Sequence, residues 1–295
     1  CWECLIGNKK RWKEGDVLQK GDLSFQWVNR DLNQIRISWE TDKSFAHILE
    51  EIGKIPLPPY MERDTELSDS DRYQTLFSEK LGAVAAPTAS LHFSDEVLSE
   101  LDRRSIQKTY LTLHVGAGTF LPVKEDDVSK HPMHREQLVF TPGLIETLKS
   151  HQGPFIPVGT TTLRALESLY WSGVWLLDKK PIANGVLILP KEYAYEERLS
   201  VPSTQEALDA VLSYMKQQKL SHWVAETEIL IMPGYTLHFC DGIITNFHQP
   251  KSTLLVLIAT LIGDDWKRVY EAALENDYRF LSYGDSSLLF KKKDI

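Results

Sequence analysis

The segment Ile55-Pro-Leu-Pro-Pro59 constrains the fold of this chain more than any other. Its prolines fix φ, remove amide donors and push the residues before them into extended backbone, so no helix or central strand can run through it. A domain boundary is expected there, and hydrophobic periodicity differs on its two sides. Before it, short strands are expected at residues 1–6, 22–28 and 33–39, separated by turns rich in Gly, Asn and Asp. A short amphipathic helix follows, with Phe45, Ile48, Leu49 and Ile52 on one face and Gly53 as its stop.

After the boundary, helical and strand periods alternate. A helix is expected at 69–80, a strand at 83–86, and a helix to Arg103 capped by Ser94, where Asp95 and Glu96 suit the helix dipole. Residues 110–115 alternate as a half-buried strand, and Thr141-Pro142 opens another helix in cap-then-proline order. An apolar strand at 155–158 leads into a helix at 160–171, and Ser203 with Glu206 forms a capping box for a helix ending near Gln218. Strands at 228–232 and 242–245 and helices at 252–262 and 265–276 complete the reading. Such alternation implies an α/β domain. No internal repeat interrupts it.

The 295 residues carry 33 basic and 41 acidic side chains, a net charge of −8, which argues against a generic polyanion binder. Basic residues nevertheless cluster at Lys9-Lys10-Arg11, Arg103-Arg104, Lys179-Lys180 and Lys291-Lys292-Lys293; most such runs are merely solvated, but a nucleic-acid enzyme can place a few of them along one surface. No apolar run approaches the roughly 18 residues that span a bilayer, so no membrane association is expected. Cys1, Cys4 and Cys240 make no complete disulfide framework, and Cys1-Trp-Glu-Cys4 lacks the second pair a zinc ribbon needs. A reducing cytoplasm fits best. A dinucleotide-binding G-x-G-x-x-G after a strand and a P-loop are both absent from the sequence.

Chemistry concentrates where glycines and histidines meet strand ends. In Thr112-Leu-His-Val-Gly-Ala-Gly-Thr-Phe120, Gly116 and Gly118 let backbone amides approach a ligand, flanked by His114 and Thr119. The chain also carries Gly82-Ala-Val-Ala-Ala-Pro-Thr-Ala-Ser-Leu-His-Phe93, Asp71-Arg-Tyr-Gln-Thr75, His131-Pro-Met-His-Arg-Glu136, Val158-Gly-Thr-Thr-Thr-Leu-Arg164, Thr245-Asn-Phe-His-Gln-Pro-Lys-Ser-Thr253 and Ser282-Tyr-Gly-Asp285. With the proline segment, this ordered set closely resembles the S-adenosylmethionine:tRNA ribosyltransferase-isomerase family of queuosine biosynthesis, from about Trp2 to Phe290. Ser90, Leu121, Arg135 and Ser286-Ser287 depart from the usual pattern and, with Leu166-Glu-Ser-Leu-Tyr-Trp171, suggest a divergent branch.

The resemblance implies an α/β fold: a large domain with a barrel-like mixed sheet and flanking helices (residues 55–295), and a small antiparallel β-barrel domain. Residues 1–54 would be the C-terminal part of that small domain. About a hundred residues would then precede Cys1, since a closed sheet pairs its edges, and the isolated 295-residue chain would aggregate or lack activity. The implied reaction is transfer and isomerisation of the ribosyl moiety of S-adenosylmethionine onto 7-aminomethyl-7-deazaguanine in tRNA, giving epoxyqueuosine and releasing adenine and methionine. It implies no metal and no obligate protein partner.

Such chemistry needs a base for the acidified proton beside the sulfonium, an acid for departing adenine, and a neutral amine; histidines and carboxylates suit these tasks. His114 is expected as general acid or base, Glu136 as a second one oriented through His134, and Asp285 for the amine or ribose hydroxyls. Thr88, His92, Gly116, Gly118, Thr119, Thr160, Asn246, His248, Lys251 and Ser252 are candidates for S-adenosylmethionine, the last two and Thr160 at helix N-termini that favour anions. Arg72, Tyr73 and Gln74, with His134, are candidates for tRNA contact. Structural readings stand beside these: a core histidine, a turn-organising Asp285, ordinary capping by Ser252 or Thr160.

Two other function classes remain open on the residues alone. His131, His134 and Glu136 are zinc-ligand types, although Pro132 interrupts the helix a hydrolase motif would use. A non-catalytic RNA-binding module would read with residues 1–54, which lack alternating aromatic platforms.

Overall fold

The structure, a computed structural model, describes the chain except residues 5, 54–56, 62, 64, 67, 74, 78–85, 115–124, 126, 134, 184 and 293–295. It divides into two compact units, Cys1–Ile55 and Pro56–Ile295.

In the first unit, strands β1 (Trp2–Glu3), β2 (Val17–Lys20), β3 (Leu23–Asn29) and β4 (Gln34–Trp39) form an antiparallel sheet in the order β1-β4-β3-β2. Leu23, Trp27 and Ile35 face inward and are buried. Gly21, at φ 59°, makes the tight turn between β2 and β3, a conformation that glycine adopts without steric cost. Strand β2 is not legible in the sequence because its residues all lie exposed on the sheet edge, where no burial imposes alternation. Helix α1 (Phe45–Ile52) places Phe45 between the stacked rings of Trp2 and Trp39, at 4.7 and 5.8 Å.

The second unit contains α2 (Asp69–Arg72), α3 (Asp95–Arg103), β5 (Thr112–His114), β6 (Glu136–Phe140), α4 (Pro142–Ser150), α5 (Thr160–Leu177), β7 (Leu187–Leu189), α6 (Thr204–Gln217), β8 (Trp223–Thr227), β9 (Gly242–Asn246), α7 (Thr253–Ile262), α8 (Asp265–Glu275) and β10 (Ser286–Phe290). A mixed sheet runs β5-β6-β8-β7, with only the β7–β8 pair parallel, and a separate antiparallel pair joins β9 to β10. The α/β class expected from the sequence is what the structure shows. Among the described residues neither unit closes a barrel: the strands lie in three separate open sheets.

Helix α5 is the axis of this unit, buried along most of its length. Where it crosses α6, a Cβ on Gly173 would stand 2.2 Å from the Ala207 carbonyl oxygen, so the two backbones approach only because the methyl is missing. The fully buried Glu167 accepts from the amides of His238, Phe239 and Cys240 at 3.0, 2.8 and 3.1 Å and from the Tyr235 hydroxyl at 2.8 Å. Burial raises its pKa while those four donors pull it down. One carboxylate thus anchors the loop that leads into β9.

Several expected elements differ. The helix at 69–80 ends at Arg72, since Tyr73 has left helical geometry and its ring is buried. Residues 155–158 run beside β9 but form only the single bridge Val158–Ile244, because Pro157 can accept from Ile244 (2.9 Å) and has no amide to return. The strand expected at 228–232 lies at Trp223–Thr227 instead. Past it, Ile229, Leu230 and Ile231 are buried, and side chains replace the ladder: Arg164 Nε donates to the Ile229 carbonyl (3.2 Å), and Tyr195 donates to Leu230 (2.6 Å) while accepting from Met232 (3.2 Å).

Candidate active site

Two neighbouring polar clusters form where strands end and helices begin. The first is built on the end of β9. Asn246 is buried there, its Oδ1 2.8 Å from His92 Nε2 and its Nδ2 donating to Thr88 Oγ1 at 3.0 Å. Thr88 and His92 sit at the two ends of a 3-10 turn, Thr88–His92, so three candidates read from separate segments are joined in one chain of hydrogen bonds. Strand β10 begins opposite Asn246, and Asp285 immediately precedes it. Asp285 accepts from the Arg279 amide at 2.7 Å, lies 3.4 Å from the Arg279 guanidinium, and is held below the usual carboxylate range chiefly by these contacts, with the nearby His92 adding to them. Its turn-organising role is therefore present in the structure, beside a location that suits chemistry.

Arg72 and Tyr73 join this cluster through Tyr283. The Arg72 guanidinium lies 5.3 Å from the Tyr283 ring centre, and Tyr73 meets the same ring edge-on at 6.1 Å. Asp69 takes a bidentate pair from Arg63, both contacts 2.7 Å, and the Tyr283 hydroxyl at 3.0 Å, which holds its carboxyl far below the ordinary value. Tyr60 bonds Ser282. Tyr73 is a core residue in this arrangement, whereas Arg72 is exposed.

The second cluster is a pocket lined by Met133, Glu136, Thr160, Thr161, Arg164 and the apolar residues of the 229–231 run and α7. Glu136 opens β6 and is 1% exposed; Arg164, one turn inside α5, is 8% exposed; their Oε1 and Nη1 are 2.9 Å apart. Gly159 stands before α5 at φ 90° with no side-chain cap, so the first amides of that helix are left unsatisfied by the helix itself, and Thr160 and Thr161 of that first turn line the pocket. The clusters adjoin: a Cβ on Gly159 would meet the Ala89 methyl, in the turn that carries Thr88 and His92, at 3.6 Å.

The remaining candidates divide. His114 closes β5 with its backbone paired to Gln137, next to Glu136, so it stands at the same end of the sheet as the pocket. His248 points into the core, 2.9 Å from Thr245 Oγ1, and burial pushes its pKa down to about 4. Ser252 caps α7, accepting from Leu255 at 3.2 Å and donating to Gln249 at 2.7 Å, while Lys251 is exposed beside it. Gln74, Gly116, Gly118, Thr119 and His134 lie outside the described residues. Arg164 closes one of the sequence motifs without an expected role of its own; an arginine among Leu163, Ala165 and Leu166 of a buried helix was the signal that it had a partner. Among the described residues no three His, Cys, Asp or Glu side chains are placed to hold a metal, and no helix is long and apolar enough to cross a membrane.

Residues 1–289 match the family described as queuosine biosynthesis protein. A relative from Zymomonas mobilis is 38% identical over 99% of this chain and 75% of its own length, and one from Acinetobacter baumannii is 40% identical over 98% and 73%. Both are named S-adenosylmethionine:tRNA ribosyltransferase-isomerase. A crystal structure of S-adenosylmethionine tRNA ribosyltransferase from Thermotoga maritima superposes with a TM-score of 0.40 at 21% identity, covering 97% of this chain and 69% of that one. With a family match over nearly its whole length and relatives this similar, the chain belongs to the queuosine biosynthesis family of enzymes.

Proposed function

We propose that this protein transfers and isomerises the ribosyl moiety of S-adenosylmethionine onto 7-aminomethyl-7-deazaguanine in tRNA, yielding epoxyqueuosine, adenine and methionine. The observation that carries the reading is the similarity of 98–99% of the chain to relatives named for that activity, with residues 1–289 matching the family. The geometry supports it, because Thr88, His92, Asn246 and Asp285 adjoin the Glu136 pocket, as a two-substrate reaction requires. His114 and Glu136, from adjacent strands, are the proton-transferring pair in this reading, and Asp285 receives the amine or the ribose hydroxyls. Arg72, exposed on the rim, meets tRNA phosphate. A cytoplasmic location and turnover without metal go with it. The zinc-hydrolase alternative is disfavoured by the Arg164 guanidinium already facing Glu136, since a cation there competes with a metal.

Mixed with S-adenosylmethionine and tRNA bearing the aminomethyl base, the complete enzyme should release adenine, measured by chromatography; methylation of the RNA instead would sink the reading. His114→Ala should lower that turnover by roughly 10² or more while the fold survives, if its imidazole moves a proton in the slow step. Parallel loss of melting temperature and activity would make His114 a core residue.

A further inference from the structure

The pocket between β6, α5 and α7 holds one donor with nothing to bind. Arg164 spends Nε on the Ile229 carbonyl and Nη1 on Glu136, yet its Nη2 is buried and has no hydrogen-bond partner among the described residues. A buried guanidinium nitrogen left unmatched costs stability, so such groups are kept where a ligand completes them. The uncapped N-terminus of α5 adds the amides of Thr160 and Thr161 on the same wall, and the helix dipole favours negative charge there. Opposite charge is close by, for Glu136 brings a carboxylate into the pocket and a carboxylate accepts several donors at once. Apart from Thr253, the rest of the lining is Met133, Ile229, Leu230, Ile231, Leu254 and Leu257, which suits an unbranched apolar chain.

A guanidinium with an unmatched N–H among the described residues, a carboxylate beside it and an apolar wall together suit an α-amino acid with an apolar side chain. Resting on the reading that S-adenosylmethionine is the substrate, we propose that this pocket binds its methionine end: the α-carboxylate on Arg164 Nη2 and the first amides of α5, the ammonium on Glu136, and the methylenes against the leucines and isoleucines. The sulfonium and ribose then extend toward the neighbouring Asn246 cluster. Glu136 in this arrangement is a binding group as well as a proton-transfer candidate, and Arg164 sets both the substrate's orientation and the retention of product methionine.

The test is calorimetric titration of the full chain with three probes: S-adenosylmethionine, its decarboxylated analogue, and L-methionine. Loss of the carboxylate should weaken binding roughly 10- to 100-fold, the range for a charge-assisted hydrogen bond to a buried group. L-Methionine should bind and compete with S-adenosylmethionine. Arg164→Lys, which keeps the charge and loses the second donor, should weaken S-adenosylmethionine by a larger factor than the decarboxylated analogue. Equal affinity for S-adenosylmethionine and its decarboxylated analogue overturns the pocket assignment while leaving the proposed reaction standing. If S-adenosylmethionine itself neither binds nor yields adenine, the functional reading fails, and L-methionine binding then decides the pocket by itself. Should Arg164→Lys fail to fold, the comparison of the two ligands on the unaltered protein still decides the assignment.

Discussion

The two clusters of the large unit solve the burial of polar groups in opposite ways. Around Asn246, side chains pass hydrogen bonds along a chain, Thr88 to Asn246 to His92, and the amide is matched on both sides within the protein. Around Arg164, an ion pair is buried and one guanidinium nitrogen remains unmatched among the described residues. A closed hydrogen-bond network rigidifies; an open ionic one keeps binding energy in reserve. The contrast teaches that adjacency in a site does not imply similarity of role, and that the less satisfied cluster is the better place to look for a ligand.

The contrast breaks most directly at Arg164. Arg164→Met removes the guanidinium that faces the buried Glu136 and should cost about 3–5 kcal/mol in urea unfolding. Adding Glu136→Gln to it should restore part of that loss. A cost below about 1 kcal/mol for the single change would mean that water already reaches the pair.

Acid should act through two histidines outside both clusters. His248 and His238 both have pKa values lowered to about 4 by burial, so between about 6.5 and 4 the unfolded chain binds protons that the folded one refuses. Stability should therefore fall as pH drops through that window, by up to about 3 kcal/mol for the buried His248 and by less for the partly exposed His238, where solvent screens the charge. His248→Gln should flatten part of the slope, and an unchanged profile would show that His248 is not buried in solution.

Asn246→Ala removes the shared link, leaving Thr88 and His92 without it, and should cost about 1–3 kcal/mol together with turnover. Stability lost with turnover unchanged would mark the chain of bonds as scaffolding alone. Smallest of all, Ser252→Ala should cost about 1 kcal/mol as a lost cap, with substrate affinity untouched. A large rise in KM from that change would instead place Ser252 at the ligand and blur the distinction between the clusters.

What could be read from the sequence followed the range of the forces involved. Caps are local, so Ser94, Thr141 and the Ser203–Glu206 box mark their helices where the structure has them. Strand β8 lies five residues before its expected place because Trp223–Thr227 mixes Glu and Thr with apolar residues, while the more apolar run after it is packed from both sides and bonded by side chains. The candidate histidines and Asn246 were found from their segments, but their pairings span 154 and 158 positions, which no local pattern encodes. Arg164 escaped for the same reason, since its partner on β6 is visible only once the sheet and helix are packed.

The missing methyl at Gly173 has a further meaning for how this molecule can vary. Helix α6 rests against α5 at a spacing set by a hydrogen atom, with the Ala207 carbonyl where any side chain would begin. A substitution there would act as a wedge, tilting the far half of α5 about its buried middle. The near half carries Arg164 and, one turn on, Glu167, the handle of the loop entering β9. Gly173 thus works as a distance gauge: it touches neither cluster, yet it sets how closely α6 can lie against the helix that carries Arg164 and Glu167.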